Sequence, residues 1–318
     1  NLNLSDLSAF SNVSDIGQFG LSIESCNPEI FDSFQNLESV ELDGAVRLDF
    51  GDPESCEGTD VESIDFMVSS GVSDPAESSY NLRIDAESVN SIAVSGNFSN
   101  LKSLRVTSLS ASEITGFSSL DSIQGDLLIN IPGITELPNF SDLVYIGGEF
   151  DMRLNFGDWQ LENMAGMEAL EFVGELSLGG AGPSGAAQFE SLDGLESLTS
   201  AGEVNLRNLE VLNDLSALSN LESVVELSLR DLDGLTTPPT FSSLVEFNQI
   251  IIDATALTSM PLFPAAENVE GDLEISDNEF LTTVDGFENL TLLNGELKVQ
   301  GNSALTSIAL PEDMLFGG

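Results

Sequence analysis

A short alternating segment recurs along most of this chain, and its period constrains the fold more than any other feature. From residue 125 onward it reads GDLLI, GEFDM, GELSL, GEVNL, VELSL, NQIII, GDLEI and GELKV. In each, two apolar residues flank one outward position, giving the inward pairs Leu127/Ile129, Phe150/Met152, Leu176/Leu178, Val204/Leu206, Leu227/Leu229, Ile250/Ile252, Leu273/Ile275 and Leu297/Val299. Their first members are 23, 26, 28, 23, 23, 23 and 24 residues apart, and Leu104/Val106 and Leu82/Ile84 continue the series backward at 23 and 22. Before that the period loosens, and Ile64/Phe66, Val46/Leu48 and Leu21/Ile23 are the best candidates. Alternation of period two belongs to a strand with one buried face. Its return at a nearly fixed interval belongs to a solenoid, because a single coil has nothing to bury its apolar side against and stacking makes the core.

An apolar turn of the form F/L-x-x-L-x-x-I/V precedes each strand, as in Phe117-Leu120-Ile123, Phe140-Leu143-Ile146, Phe241-Leu244-Phe247 and Phe287-Leu290-Leu293. The spacing of three suits a short helical or 3₁₀ turn with one buried side. After the strands come second apolar pairs, clearest in Leu257/Met260, Leu281/Val284 and Leu305/Ile308, which predict a short extended edge. Gly125, Gly148, Gly174, Gly202, Gly271 and Gly295 stand just before strands, where a corner needs positive φ or close backbone approach. Longer loops are expected at 71–79 and 179–189. The prediction is a mainly β, right-handed parallel β-solenoid of about 13 coils of 22–28 residues. Residues 1–80 form divergent capping coils and 81–318 the regular repeats of one continuous solenoid.

The stretch VEGDLEISDNEFLTTVDGFENL, Val269 to Leu290, follows the pattern L-x-x-V-x-G-x-L-x-I-x-x-N-x-x-L-T-x-V-x-G-F-x-N-L. That pattern resembles the receptor L-domain repeat, a relative of the leucine-rich repeats. The repeat is found in the ligand-binding ectodomains of the insulin and EGF receptors, in fungal glycolipid-anchored cell-wall proteins and in microbial surface proteins. The likeness runs over residues 80–310, and the first 80 residues depart from it. It implies a solenoid that supplies a binding surface or a wall component.

Charge narrows the partners. The chain has 54 acidic residues against 8 basic ones, no His, and a net charge of −46. Nucleic acid and anionic lipid need clustered Lys and Arg, so both are poor partners. Such self-repulsion is relieved by salt or divalent cations, which fits either a saline habitat or a specific cation site. No apolar run is long enough for a transmembrane segment. Asn1 in place of Met fits a secreted chain whose leader has been removed. Cys26 and Cys56 lie in polar loops, where one disulfide in an oxidising compartment, or two free thiols, is expected. Sequons at Asn3, Asn12, Asn97, Asn139 and Asn289 allow N-glycosylation.

The catalytic inventory is thin. Without His there is neither a Ser-His-Asp triad nor an imidazole metal site, and nucleotide-binding loops are missing from the sequence. Carboxylate chemistry of the glycosidase kind is what remains. The stronger pattern is outward: Asp126, Glu149, Glu175, Glu203 and Glu226 occupy the position before the first inward residue in successive coils, followed by Gln249, Asp272 and Glu296. Stacked about 5 Å apart, such charges repel by about 1 kcal/mol even in water. Either the cations of the same strands neutralise them, as Glu203 with Arg207 or Glu226 with Arg230, or the ladder collects Ca²⁺, whose preference is for oxygen. Arg47, Arg83, Arg105, Arg153, Arg207, Arg230 and Lys298 lie on or at the ends of these strands and mark the candidate partner face, with Lys102 just outside.

The sequence therefore predicts a non-enzymatic extracellular, cell-surface or matrix protein that presents a sheet face to a glycan or protein partner. It requires no cofactor other than, on one reading, Ca²⁺. The alternatives are a head-to-tail filament or layer subunit, suggested by the short LPEDMLFGG after Ile308, and a polysaccharide-cleaving enzyme using two carboxylates. Thr258, Thr282 and Thr306 raise the further idea of an ice-binding array, and the final Gly-Gly that of a processed lipid anchor.

Overall fold

A computed structural model describes residues 80–86, 89–96, 98, 101–152, 159–179 and 188–317, together with the backbone of five earlier strands at 15–16, 21–24, 39–40, 45–50 and 61–68. Cys26, Cys56, Arg153, Asn3, Asn12 and Asn97 lie outside the described residues. The chain divides into an N-terminal unit, Asn1–Asp151, and a C-terminal unit, Met152–Gly318. In each, parallel strands stack as a β-solenoid, with about nine turns in all. The 3₁₀ turn Ser216–Asn220 is the one helical element among the described residues.

In the N-terminal unit the main sheet runs in the order Leu21–Glu24, Ala45–Phe50, Tyr80–Ala86, Leu101–Thr107 and Leu127–Asn130. A second sheet joins Val61–Val68, Val89–Gly96 and Glu113–Gly116. The expectation that Ile64/Phe66 belongs to the main series is thereby corrected. VESIDFMV alternates like any other strand, but it pairs with Val89–Gly96 in the second sheet, while Ala45–Phe50 pairs directly with Tyr80–Ala86 in the main one. Leu82, Ile84, Leu104, Val106, Leu127 and Ile129 are all buried.

In the C-terminal unit the main sheet runs through Phe172–Gly179, Ser200–Arg207, Ser223–Leu232, Glu246–Thr255, Leu273–Ser276 and Leu297–Gln300, in chain order. The register pairs Leu176 with Val204, Val204 with Leu227, Leu227 with Ile250 and Ile250 with Leu273, so the inward residues stack turn upon turn. All of these are buried, and truncating one to Ala costs about 2–5 kcal/mol. The last strand has a neighbour on one side, and there Leu297 and Val299 are half-buried, while Ile308, Leu315 and Phe316 are exposed.

The predicted apolar turns are present, mostly tighter than a helix. Leu120, Leu143, Leu244 and Leu290 each donate their backbone N–H to the carbonyl of the Phe three residues earlier, closing a single turn. This drives the Phe rings inward into stacks: Phe98, Phe117 and Phe140 at 5.2 and 5.5 Å in one unit, Phe241, Phe263 and Phe287 at 5.2 and 4.9 Å in the other. The short edge after the strands is also there, with Thr283–Val284 paired to Ser307–Ile308. Where strand pairing lapses, side chains hold the turns together. Thr199, Ser242, Asn289, Thr291 and Ser303 each donate to a backbone carbonyl of the preceding turn.

The glycines before the strands serve close approach, not positive φ. A Cβ on Gly202, Gly271 or Gly295 would fall 2.2–2.3 Å from a carbonyl oxygen of the previous turn. The left-handed corner instead follows the strand and recurs in register: Asn208, Asp231, Ala254 and Asp277 have φ of 51–55°, and Gly301 has 70°. Just beyond that corner Asn278 is fully buried with its amide satisfied. Its Oδ1 accepts from the N–H and hydroxyl of Thr255, and its Nδ2 donates to the carbonyls of Ile252 and Ser276.

A charge-segregated depression on the outward sheet face

Between and beside the inward pairs, each strand has three positions on the other face, and the register lines them up as columns, in which Ser228, Ile251 and Ser276 are themselves buried. In the C-terminal unit the leading column is Glu175, Glu203, Glu226 and Gln249. The middle column is Ser177, Asn205, Ser228, Ile251, Glu274 and Lys298. The trailing column is Gly179, Arg207, Arg230, Asp253, Ser276 and Gln300. Three glutamates thus stack on one side and two arginines on the other, with a lane of small polar residues between them.

The glutamates are offset by an amide. Asn205 Nδ2 donates to Glu175 Oε1 at 3.1 Å and to Glu203 Oε2 at 3.2 Å, bridging two turns. Partial burial, then the Glu203 charge, raises the Glu226 carboxyl above its ordinary value; Arg230 opposes this and Glu175 adds to it. The Arg230 charge acts on Glu226 of its own strand, as the sequence suggested, but the direct ion pairs of the arginines go elsewhere. Arg207 Nε meets Asp231 at 3.5 Å, and Arg230 Nη1 meets Asp253 at 3.6 Å while its Nε donates to Ser228 at 2.9 Å. The left-handed corner at residue 231 is what brings that carboxylate to the end of the preceding strand. Lys298 pairs with Glu274 of the adjacent strand, a hydrogen bond that raises the ammonium's pKa.

Beside the arginines and Glu226 lies a depression of about 260 Å³, lined by Ser177, Leu178, Gly179, Asn205, Leu206, Arg207, Glu226, Ser228 and Arg230. Its floor is bare by construction. Gly179 has φ of 94°, and a Cβ there would sit 1.8 Å from the Arg207 carbonyl oxygen. The arginine side chains remain 51% and 34% exposed. The Ser177, Asn205 and Ser228 lane was not foreseen, although S-L-G, N-L-R and S-L-R recur at the repeat interval and the signal was there to read.

The other predicted site residues fall elsewhere. Asp126 lies in the N-terminal unit, where its Oδ1 accepts the N–H of Glu149 at 3.0 Å. Asp272 does the same for Glu296 at 2.8 Å. In both places the glycine before the glutamate leaves room for that carboxylate, since a Cβ on Gly148 or Gly295 would meet it at 2.1 or 2.5 Å. These two aspartates are structural. Arg47, Arg83 and Arg105 stand in one register column of the N-terminal unit, beside Leu128. Among the described residues no three acidic, His or Cys side chains converge to hold a metal ion.

Asn139 and Asn289 are exposed, each tied by its side-chain amide: Asn139 Oδ1 accepts from Ser141 N–H, and Asn289 Nδ2 donates to the Pro264 carbonyl. The hydroxyls of Thr282 and Thr306 donate to the carbonyls of Thr258 and Thr282, which commits them to joining turns. No described helix is long and apolar enough to cross a membrane. No protein-family model, curated protein or solved structure matches the chain.

Proposed function

We propose that this is an extracellular or cell-surface protein that acts by binding and not by catalysis, and that the outward sheet face of the C-terminal unit receives its glycan or protein partner. The observation that carries the reading is the stacking of Arg207 on Arg230 at a depression, in a chain of net charge −46. Each arginine meets one partly exposed carboxylate, Asp231 or Asp253, through part of its guanidinium and keeps further N–H donors outside that contact. An anionic group of a partner would take up the guanidinium N–H donors that these contacts leave over. A sheet face that stays on the surface along a stack of turns is also where solenoids bind.

We read the solenoid as of the leucine-rich-repeat or receptor L-domain type. The L-x-I-x-x-N run from Leu273 to Asn278 supports this, since its Asn is buried and satisfied by backbone groups.

The test is adsorption of the full chain to immobilised neutral and anionic polysaccharides and matrix proteins, against the double variant Arg207→Glu/Arg230→Glu. Binding is expected to fall at least about tenfold in the variant, as for loss of charge-assisted contacts, with an unchanged circular dichroism spectrum. Equal binding would refute the assignment of the face. Release of reducing ends in the same incubations, abolished in Glu226→Gln, would replace the binding reading with an enzymatic one.

A further inference from the structure

Resting on that assignment of the face, we infer that the depression takes a hexuronate unit of an oligosaccharide, its carboxylate between Arg207 and Arg230 and its hydroxyls on the lane and the glutamate row. Three features of the site select this chemistry.

The first is donor supply. The guanidinium group carries five N–H donors in a planar fork. The contact to Asp231 uses Nε of Arg207, and those to Ser228 and Asp253 use Nε and Nη1 of Arg230, so the other donors of both lie outside these contacts. The two residues sit on adjacent strands, roughly 4.8 Å apart in backbone, close enough for one carboxylate to accept from both.

The second is the opposite side of the site. Glu226 lines the depression, with Glu203 next to it in register. Carboxylates accept hydrogen bonds and repel a second negative charge. A polyphosphate or an acidic peptide brings few hydroxyl donors to these acceptors, so the row favours neither. A uronate brings one carboxylate per ring and several O–H donors, which matches cations on one side and acceptors on the other.

The third is distance. Glu226 and Arg230 are four residues apart on one strand, about 13 Å along the backbone. An α-amino acid, whose opposite charges are separated by a single carbon, does not bridge that span. A pyranose ring carries its hydroxyls away from the carboxylate, and one ring with its neighbour extends from the arginines across Ser228 and Asn205 to the glutamates.

The experiment is calorimetric titration of the full chain with oligogalacturonate, with the same oligomer after carboxyl reduction, and with poly-glutamate. The oligouronate should bind, and the reduced oligomer and poly-glutamate should bind at least about tenfold more weakly. Arg230→Ala should lose about tenfold, and Asn205→Ala several-fold, with the unfolding midpoint of each recorded to separate loss of contact from loss of fold. Equal binding of the reduced oligomer, or preference for poly-glutamate, overturns the inference. If no uronate binds while another ligand is lost on Arg207→Glu/Arg230→Glu, the uronate assignment fails and the face assignment stands. If no ligand responds to that charge reversal, both fail.

Discussion

The two units use one strand geometry and place their charges differently. In the N-terminal unit the register sets Arg47, Arg83 and Arg105 in the middle column, and Asp49, Asp85, Thr107 and Asn130 in the column immediately after it. In the C-terminal unit Arg207 and Arg230 stand in the trailing column and Glu175, Glu203 and Glu226 in the leading one, with Ser177, Asn205 and Ser228 between. Opposite charges two positions apart on a strand are neighbours. Four positions apart, with small residues in between, they leave a gap. The arginine column thus differs by two positions between the units, and in the C-terminal unit small polar residues stand between it and the glutamate column.

The comparison breaks most severely at Gly179. Replacing it with Ala puts a side chain at φ of 94° against a carbonyl of the next strand and should cost about 2–3 kcal/mol, read from the urea midpoint, along with loss of ligand binding. A loss no larger than that of an exposed-site Ala substitution would mean the bare floor is incidental. Next in size is Asn205→Asp, which removes the amide between Glu175 and Glu203 and adds a third charge. It should destabilise by about 1–2 kcal/mol at low salt and recover much of that in NaCl, whereas an uncharged loss of packing would not recover.

The smallest effect belongs to Glu226. Its carboxyl is held above the ordinary value by burial and by Glu203, so the folded state binds the proton more tightly than the unfolded state. Stability from this group is then greatest below the ordinary carboxylate range and declines as pH rises through the raised value. Glu226→Gln should therefore raise the thermal midpoint at neutral pH and leave it nearly unchanged in acid. A lower midpoint at neutral pH would show that Glu226 serves as a partner of Arg230 and not as a strained member of the row.

The inward architecture was legible because burial writes period two into the strands and the turn length writes the repeat. The pairs from Leu82/Ile84 to Leu297/Val299 all fall in the main sheets at the positions their spacing gives. Periodicity does not say which side of a turn a strand occupies, and so Ile64/Phe66 was assigned to the wrong sheet and Val89–Gly96 was not foreseen. The site was half legible. Once the repeat interval is known, Glu203 over Glu226 and Arg207 over Arg230 follow by counting. The ion pairs do not, since they depend on a left-handed corner at Asp231, a residue type that gives weaker notice of positive φ than Gly does. Nor does the structural use of Asp126 and Asp272, which is fixed by glycines one turn away.

The central claim is that separated charges, and not merely arginines on a sheet, make the binding face. Amide hydrogen exchange with and without oligogalacturonate tests it most directly, because it reads both units in one experiment. The account predicts added protection around Ser177, Asn205, Ser228 and Arg230 and none around Arg83 and Arg105. Protection centred on Arg83 and Arg105, or equal in the two units, would contradict it.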